Sequence, residues 1–152
     1  MTSRLALLAL TTALTLPALA EARPVTLSGS LAAYGGNGAY LAAYVTDAKG
    51  ALVQTLWLAG GKSKYYQHFS GWTAAGGGSI DGVTGASVGA GRTFSVTVDL
   101  ADALLDAGYV LHVDAAVEDM RDSPSDVTLP LSSTGAQEAR GRRYVADVRL
   151  GL

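Results

Sequence analysis

The chain has 152 residues, 13 Asp and Glu against 11 Lys and Arg, and no cysteine. A weakly acidic balance without basic blocks argues against nucleic acid as a partner. The missing thiols exclude disulfides, Cys-linked haem, iron–sulfur clusters and thiol catalysis, so the fold must rest on its own hydrophobic core.

The chain opens "MTSRLALLALTTALTLPALAEARP". One cation at Arg4, an apolar run from Leu5 to Leu16, Pro17 and a small-x-small site at Ala18-Leu19-Ala20 predict a secretory signal peptide over residues 1–20. Glu21 then begins a product that is exported and soluble in the periplasm, since no later run is long and apolar enough to span a bilayer. Residues 21–152 predict a single domain, with ten Lys and Arg against 13 Asp and Glu once Arg4 is removed.

Along that domain the dominant period is two. Val25, Leu27 and Leu31 open a strand, and the Asn-Gly pair in "YGGNGAY" at 34–40 predicts a hairpin. "AYLAAYV" follows with Leu41, Ala43 and Val45 on one face and Tyr40, Ala42 and Tyr44 on the other. "TDAKG" reads as a turn and "ALVQTLWLA" as the returning strand. The segment 62–72, "KSKYYQHFSGW", lacks alternation and predicts a short helix or an ordered excursion.

Phe94, Val96, Val98 and Leu100 alternate with polar residues, and "ADALLDAG" at 101–108 offers one helical turn capped by Gly108. Tyr109 to Val117, Val127 to Leu131, and Tyr144, Ala146, Val148 and Leu150 supply further strands. About seven short strands with turns between them predict an all-β, immunoglobulin-like two-sheet sandwich. The excursion and the loop 73–92 are longer than a sandwich needs, and such insertions usually carry function or are disordered.

The succession "YLAAYVTDAKGALVQTL", "GGKSKYYQHFSGW", "DGVTGAS" and "AGYVLHVDAAVED" over roughly residues 39–131 resembles a bacterial periplasmic family of uncharacterised domains. Members of that family are associated with PepSY-type membrane proteins and FAD:protein FMN transferases. Their strands look like the immunoglobulin-like part of flagellar hook-capping proteins. "DGVTGAS" at 81–87 is also similar to the acceptor motif of proteins that carry covalent FMN. The resemblance implies Asp81 as the leading acid, Thr84, Gly85 and Ala86 as the small centre, and Ser87 as the hydroxyl that receives the phosphoryl group. Ser87 stands where the motif usually has Thr, and both are alcohols.

The chemistry constrains such a segment. A transferase must bring one hydroxyl into line with the FAD pyrophosphate beside a Mg²⁺ ion, so the acceptor has to enter a foreign cleft. Gly82, Gly85 and Ala86 keep the segment narrow. Against this stands the plain reading, in which Asp, Gly, Thr and Ser are what turn chemistry selects. Tyr65, Tyr66 and Trp72 offer an aromatic platform for an isoalloxazine ring, with Lys62 and Lys64 near its phosphate. Their alternative is packing of the excursion onto the sandwich.

His112 lies between Leu111 and Val113 and is expected to point away from them, toward solvent. Neither it nor His68 has a metal-like spacing. "EDMRDSPSD" at 118–126 offers hard oxygens for Ca²⁺ but matches no EF-hand, which favours an acidic turn. No catalytic constellation is found, so an enzyme is not expected. The function expected is a flavin-carrying electron-transfer protein, modified by a separate FMN transferase and served by a PepSY-type membrane partner. The alternative is a non-redox immunoglobulin-like binding or scaffolding module of the envelope.

Overall fold

A computed structural model describes residues 21–80, 82–135 and 137–152. The expected signal segment 1–20 and the expected motif acid, Asp81, lie outside the described residues. In chain order the elements are β1 (Ala22–Leu31), β2 (Ala39–Thr46), β3 (Leu52–Ala59), a 3-10 segment (Ser63–His68), α1 (Ser70–Ala75), β4 (Val83–Gly85), β5 (Thr93–Ala101), a 3-10 turn (Asp102–Leu104), β6 (Val110–Val117), β7 (Ser123–Pro130), β8 (Gln137–Arg140) and β9 (Val145–Gly151). They form one sheet in the order β5-β1-β9-β8 and a second in the order β4-β3-β2-β6-β7. This is the two-sheet sandwich that the alternation predicts, with β4 and β8 as short additions to the strands foreseen.

Alternating apolar residues supply the core between the sheets. Val25, Leu27 and Leu31 of β1 face Leu41, Ala43 and Val45 of β2, joined by Val98, Leu100, Leu111, Val113, Val148 and Leu150, all within one buried cluster. Each such valine or leucine side chain stabilises the fold by about 1.5–3 kcal/mol when fully removed from water. Ala146, expected on the inward face, is exposed instead, because both Tyr144 and Val145 turn inward before the alternation of β9 resumes.

The Asn37-Gly38 hairpin does not form. β1 pairs with β5 and β9, whereas β2 pairs with β3 and β6. Residues 32–38 therefore carry the chain between sheets, a step of roughly 10 Å that a two-residue turn does not reach. Tyr34 in this link packs edge-on against Tyr144, with ring centroids 5.0 Å apart, and donates to the Asn37 carbonyl at 2.6 Å. The turn after β2 behaves as expected: the Asp47 carboxylate accepts from the amides of Lys49 (2.8 Å) and Ala51 (3.0 Å).

One buried carboxylate clasps the two sheets. Asp126, on β7 of the second sheet, accepts from the amides of Arg142 (3.1 Å), Arg143 (2.6 Å), Tyr144 (2.9 Å) and Val145 (2.7 Å), which lead into β9 of the first. The Ser123 hydroxyl adds a fifth donor at 3.0 Å. A carboxyl group this deep is tolerated because its oxygens are filled by donors.

The second sheet is covered on its other face as well. Ala42, Tyr44, Leu58 and Ala116 form a separate cluster with Tyr66, Phe69 and Trp72 of the excursion 62–75. Small residues on β2 and β6 leave room for these rings, so β2 is buried on both sides. Asp114 fixes α1 onto this layer by accepting from the Trp72 amide (2.8 Å), the Tyr44 hydroxyl (2.9 Å) and the Ser125 amide (2.7 Å).

Candidate functional site

The segment 83–88 does not project as a free loop. Val83, Thr84 and Gly85 pair in parallel with Trp57, Leu58 and Ala59, which makes β4 an edge strand beside β3. Gly82 is required at its start, since a β-carbon there would come 2.7 Å from the Thr55 carbonyl oxygen and 2.8 Å from that of Leu56. Past Gly85, whose carbonyl accepts from the Gly60 amide at 2.8 Å, the chain leaves β3 and crosses to β2. There Val88 makes an antiparallel bridge with Ala39, through hydrogen bonds of 2.7 and 3.0 Å. Ala86 and Ser87 form the corner between these two anchors.

That corner is solvent-facing. Thr84, Gly85, Ala86 and Ser87 are all exposed, while Val88 is buried. Two fixed anchors thus display the hydroxyl of Ser87 without burying it.

Ser87 also forms part of the wall of a cavity of about 630 Å³. Other walls come from Gly38 and Tyr40 at the start of β2, Lys62, Tyr65 and His68 of the excursion, and the turn from Val117 to Asp122. Tyr40 and Tyr65 meet edge to face at 5.9 Å, and the Tyr40 hydroxyl accepts from the Lys62 amide at 3.2 Å. The Lys64 ammonium lies 4.9 Å from the centre of the Tyr65 ring. Tyr65 itself keeps 38% of its surface in solvent. His68 Nδ1 is 3.1 Å from Asp122 Oδ2, and the Asn37 amide donates to Glu118 at 3.3 Å. The cavity therefore combines an aromatic wall, one lysine, Lys62, on the excursion and carboxylates on the opposite turn.

The three aromatic candidates separate. Tyr65 joins Ser87 at the cavity. Tyr66 is buried beneath it, with its hydroxyl donating to the Gly60 carbonyl at 2.8 Å; burial, then the nearby Tyr40, raises its pKa. Trp72 is buried at the far end of the ring cluster, and its indole donates to Thr55 at 2.9 Å. Neither offers a ring face to the cavity, and both serve the packing reading.

His112 points away from Leu111 and Val113, as expected, but it is half-buried rather than free in solvent. Its ring stacks on Tyr44 at 5.2 Å and bonds to Thr46 (2.9 Å) and Ser125 (3.0 Å). Burial lowers its pKa, against a smaller opposing pull from Asp114. The same burial, aided by Asp114, raises the pKa of Tyr44.

The acidic turn is likewise divided among tasks. Asp126 turns inward as the clasp, Asp122 pairs with His68, and Glu118 accepts from Asn37. Among the described residues no group of three His, Asp or Glu is arranged to hold a metal ion. No helix among them is long and apolar enough to cross a membrane.

Sequence reading missed Tyr40, Glu118, Asp119 and the His68–Asp122 pair as cavity residues. Tyr40 was legible only as part of a strand face, and the pair spans 54 positions with no local signal.

A family model described as "Predicted periplasmic protein (DUF2271)" matches residues 22–147. No curated protein and no solved structure matches the chain.

Proposed function

From the premise that the chain belongs to this family of predicted periplasmic proteins, we propose that it is an exported electron carrier bearing covalent FMN on Ser87. The observation that carries the reading is the joint placement of an exposed acceptor hydroxyl and an exposed tyrosine ring in one cavity.

The residues fit the group. A volume of about 630 Å³ falls among ligand sites of about 300–1,000 Å³. Tyr65 and Tyr40 would pack against the ring system, and Lys62 would face the phosphate. When bound, FMN supplies one- and two-electron transfer, and the surrounding chain tunes its potential. The pairing of β4 with β3 holds the acceptor corner in place, and the exposure of Ser87 gives a modifying enzyme access to it.

Attachment is a phosphoryl-group transfer without change of oxidation state. The Ser87 hydroxyl oxygen bonds to the FMN phosphorus of FAD, the P–O–P bond breaks, AMP leaves with the bonding electrons, and the serine proton passes to a base of the FMN transferase. The protein itself performs no catalysis in this reading. A PepSY-type membrane protein would exchange electrons with the finished carrier.

Intact mass and visible spectra of protein exported with an FMN transferase, wild type against Ser87→Ala, test this. The expected result is a mass gain of one FMN and flavin absorbance that survives denaturation, both absent from the variant. An unmodified wild-type mass overturns the reading.

A second reading, a non-redox binding module, is favoured by the outer edge of β4. The strand has only β3 beside it among the described residues and exposes Val83. A partner strand would add there, and a proline at Thr84 would abolish that addition without touching Ser87.

A further inference from the structure

The cavity beside Ser87 contains a titratable pair for which phosphoryl transfer has no use. His68 ends the 3-10 segment, and its Nδ1 meets Asp122 Oδ2 from the turn after β6 at 3.1 Å. The contact bridges the excursion to the second sheet. It is not sealed, since the side chains are 47% and 33% exposed, so protons from solvent reach the ring.

The ionisable groups that share this cavity are Lys62 and Tyr65 on the excursion, Tyr40 on β2, and Glu118, Asp119 and Asp122 on the turn. Imidazole is the side chain whose ordinary titration lies between about pH 5 and 8, whereas carboxylates, ammonium groups and phenols ordinarily titrate outside that range. A change of charge inside the cavity near neutral pH is therefore the task for which a histidine is suited.

Resting on the reading that Ser87 carries FMN, we propose that the His68–Asp122 pair couples reduction of the cofactor to proton uptake by the protein. Two electrons and one proton entering the cofactor leave one added negative charge in the cavity. The electron donor, a membrane redox protein in the envelope or dithionite in vitro, loses the same two electrons and is oxidised. His68 takes a second proton from solvent as that charge appears, because opposite charges at close range in a partly desolvated site attract. Asp122 holds the ring at the cavity wall, where the added charge acts on it. Reduction then draws in two protons per two electrons over the pH range in which His68 changes state, and one outside it.

The experiment is a potentiometric titration with dithionite as electron donor, over about pH 5 to 9, which brackets ordinary imidazole titration. It uses full-length protein whose FMN adduct has first been verified by intact mass. Wild type, His68→Gln and His68→Lys are compared. The midpoint potential of wild type is expected to fall about twofold more steeply with pH across one segment than that of His68→Gln, following the proton stoichiometry. Breaks common to both belong to the cofactor. His68→Lys, with a fixed positive charge, is expected to lack the steep segment and to lie above the Gln curve. Superimposable curves on adduct-bearing protein overturn this inference and leave the carrier reading intact. A protein without adduct overturns both.

Discussion

Gly38 presents a bare α-carbon to Ser87. A β-carbon in its place would lie 3.4 Å from Ser87 Oγ and 3.2 Å from the Val88 carbonyl oxygen. The approach is tight because the bridge between Val88 and Ala39 draws the Ala86–Ser87 corner against the start of β2. Gly38→Val would push branched carbons against the hydroxyl. Transferase-dependent modification of Ser87 is expected to fall by roughly tenfold or more, the effect of displacing a reacting atom by about 1 Å. Intact mass against time measures it, with circular dichroism to check that the sandwich persists.

Gly71 opens α1 directly over the buried polar layer. A β-carbon there would meet Asp114 Oδ1 and the Tyr44 hydroxyl oxygen, each at 2.6 Å. Helix propensity alone favours Gly71→Ala by up to about 1 kcal/mol. The clash should win and destabilise the protein by about 2–3 kcal/mol, since neither the buried carboxylate nor the sheet can retreat. Urea unfolding followed by tryptophan fluorescence gives the value.

Removing the clasp should cost more. Asp126→Ala strands the amides of Arg143, Tyr144 and Val145 and the Ser123 hydroxyl, while the Arg142 amide keeps its 2.9 Å bond to the backbone carbonyl of residue 126. A loss of about 3–5 kcal/mol is expected, or roughly 10–20 °C in Tm. Asp126→Asn should fall between the two, because its amide nitrogen cannot accept from these donors.

His112 makes stability depend on pH. Its folded-state pKa lies below the ordinary imidazole value, with burial the larger cause, so the unfolded chain takes up a proton more readily. Its contribution is complete above about pH 6.5 and is lost as pH falls from there through the folded-state value. Chemical unfolding from pH 8 down to pH 5 should show that decline in wild type. His112→Gln should show less of it.

The faces of the strands were legible because half-burial imposes a period of two. Leu41, Ala43 and Val45 sit together inside as their spacing requires. That the aromatics of the excursion pack onto the sandwich was legible as the plain reading of Tyr66 and Trp72, but no local pattern says which face they cover or that Phe69 and Trp72 meet Tyr44 there. The glycines were ambiguous for a physical reason. Gly82 looks like a turn residue, yet its role is to let β4 approach the backbone of β3, and missing side chains serve both purposes equally. The link 32–38 misled in the same way: Asn37-Gly38 has the composition of a hairpin, but pairing across the sandwich outweighs turn preference. Ser87 and Tyr65 were both chosen from sequence; their meeting at one cavity depends on β4 leaving β3 for β2.

That crossing has a consequence for affinity. Ser87 is held immediately before the Val88–Ala39 bridge and just past the Gly85–Gly60 bond, so its position relative to the cavity is fixed by two sheet contacts. Any group esterified there is leashed within reach of the walls, at an effective concentration on the order of millimolar or above. A cavity far too weak to capture the free molecule from a dilute compartment would still be occupied. Its walls are released from the need to grip and can be shaped to favour one charge state of the tethered group over another.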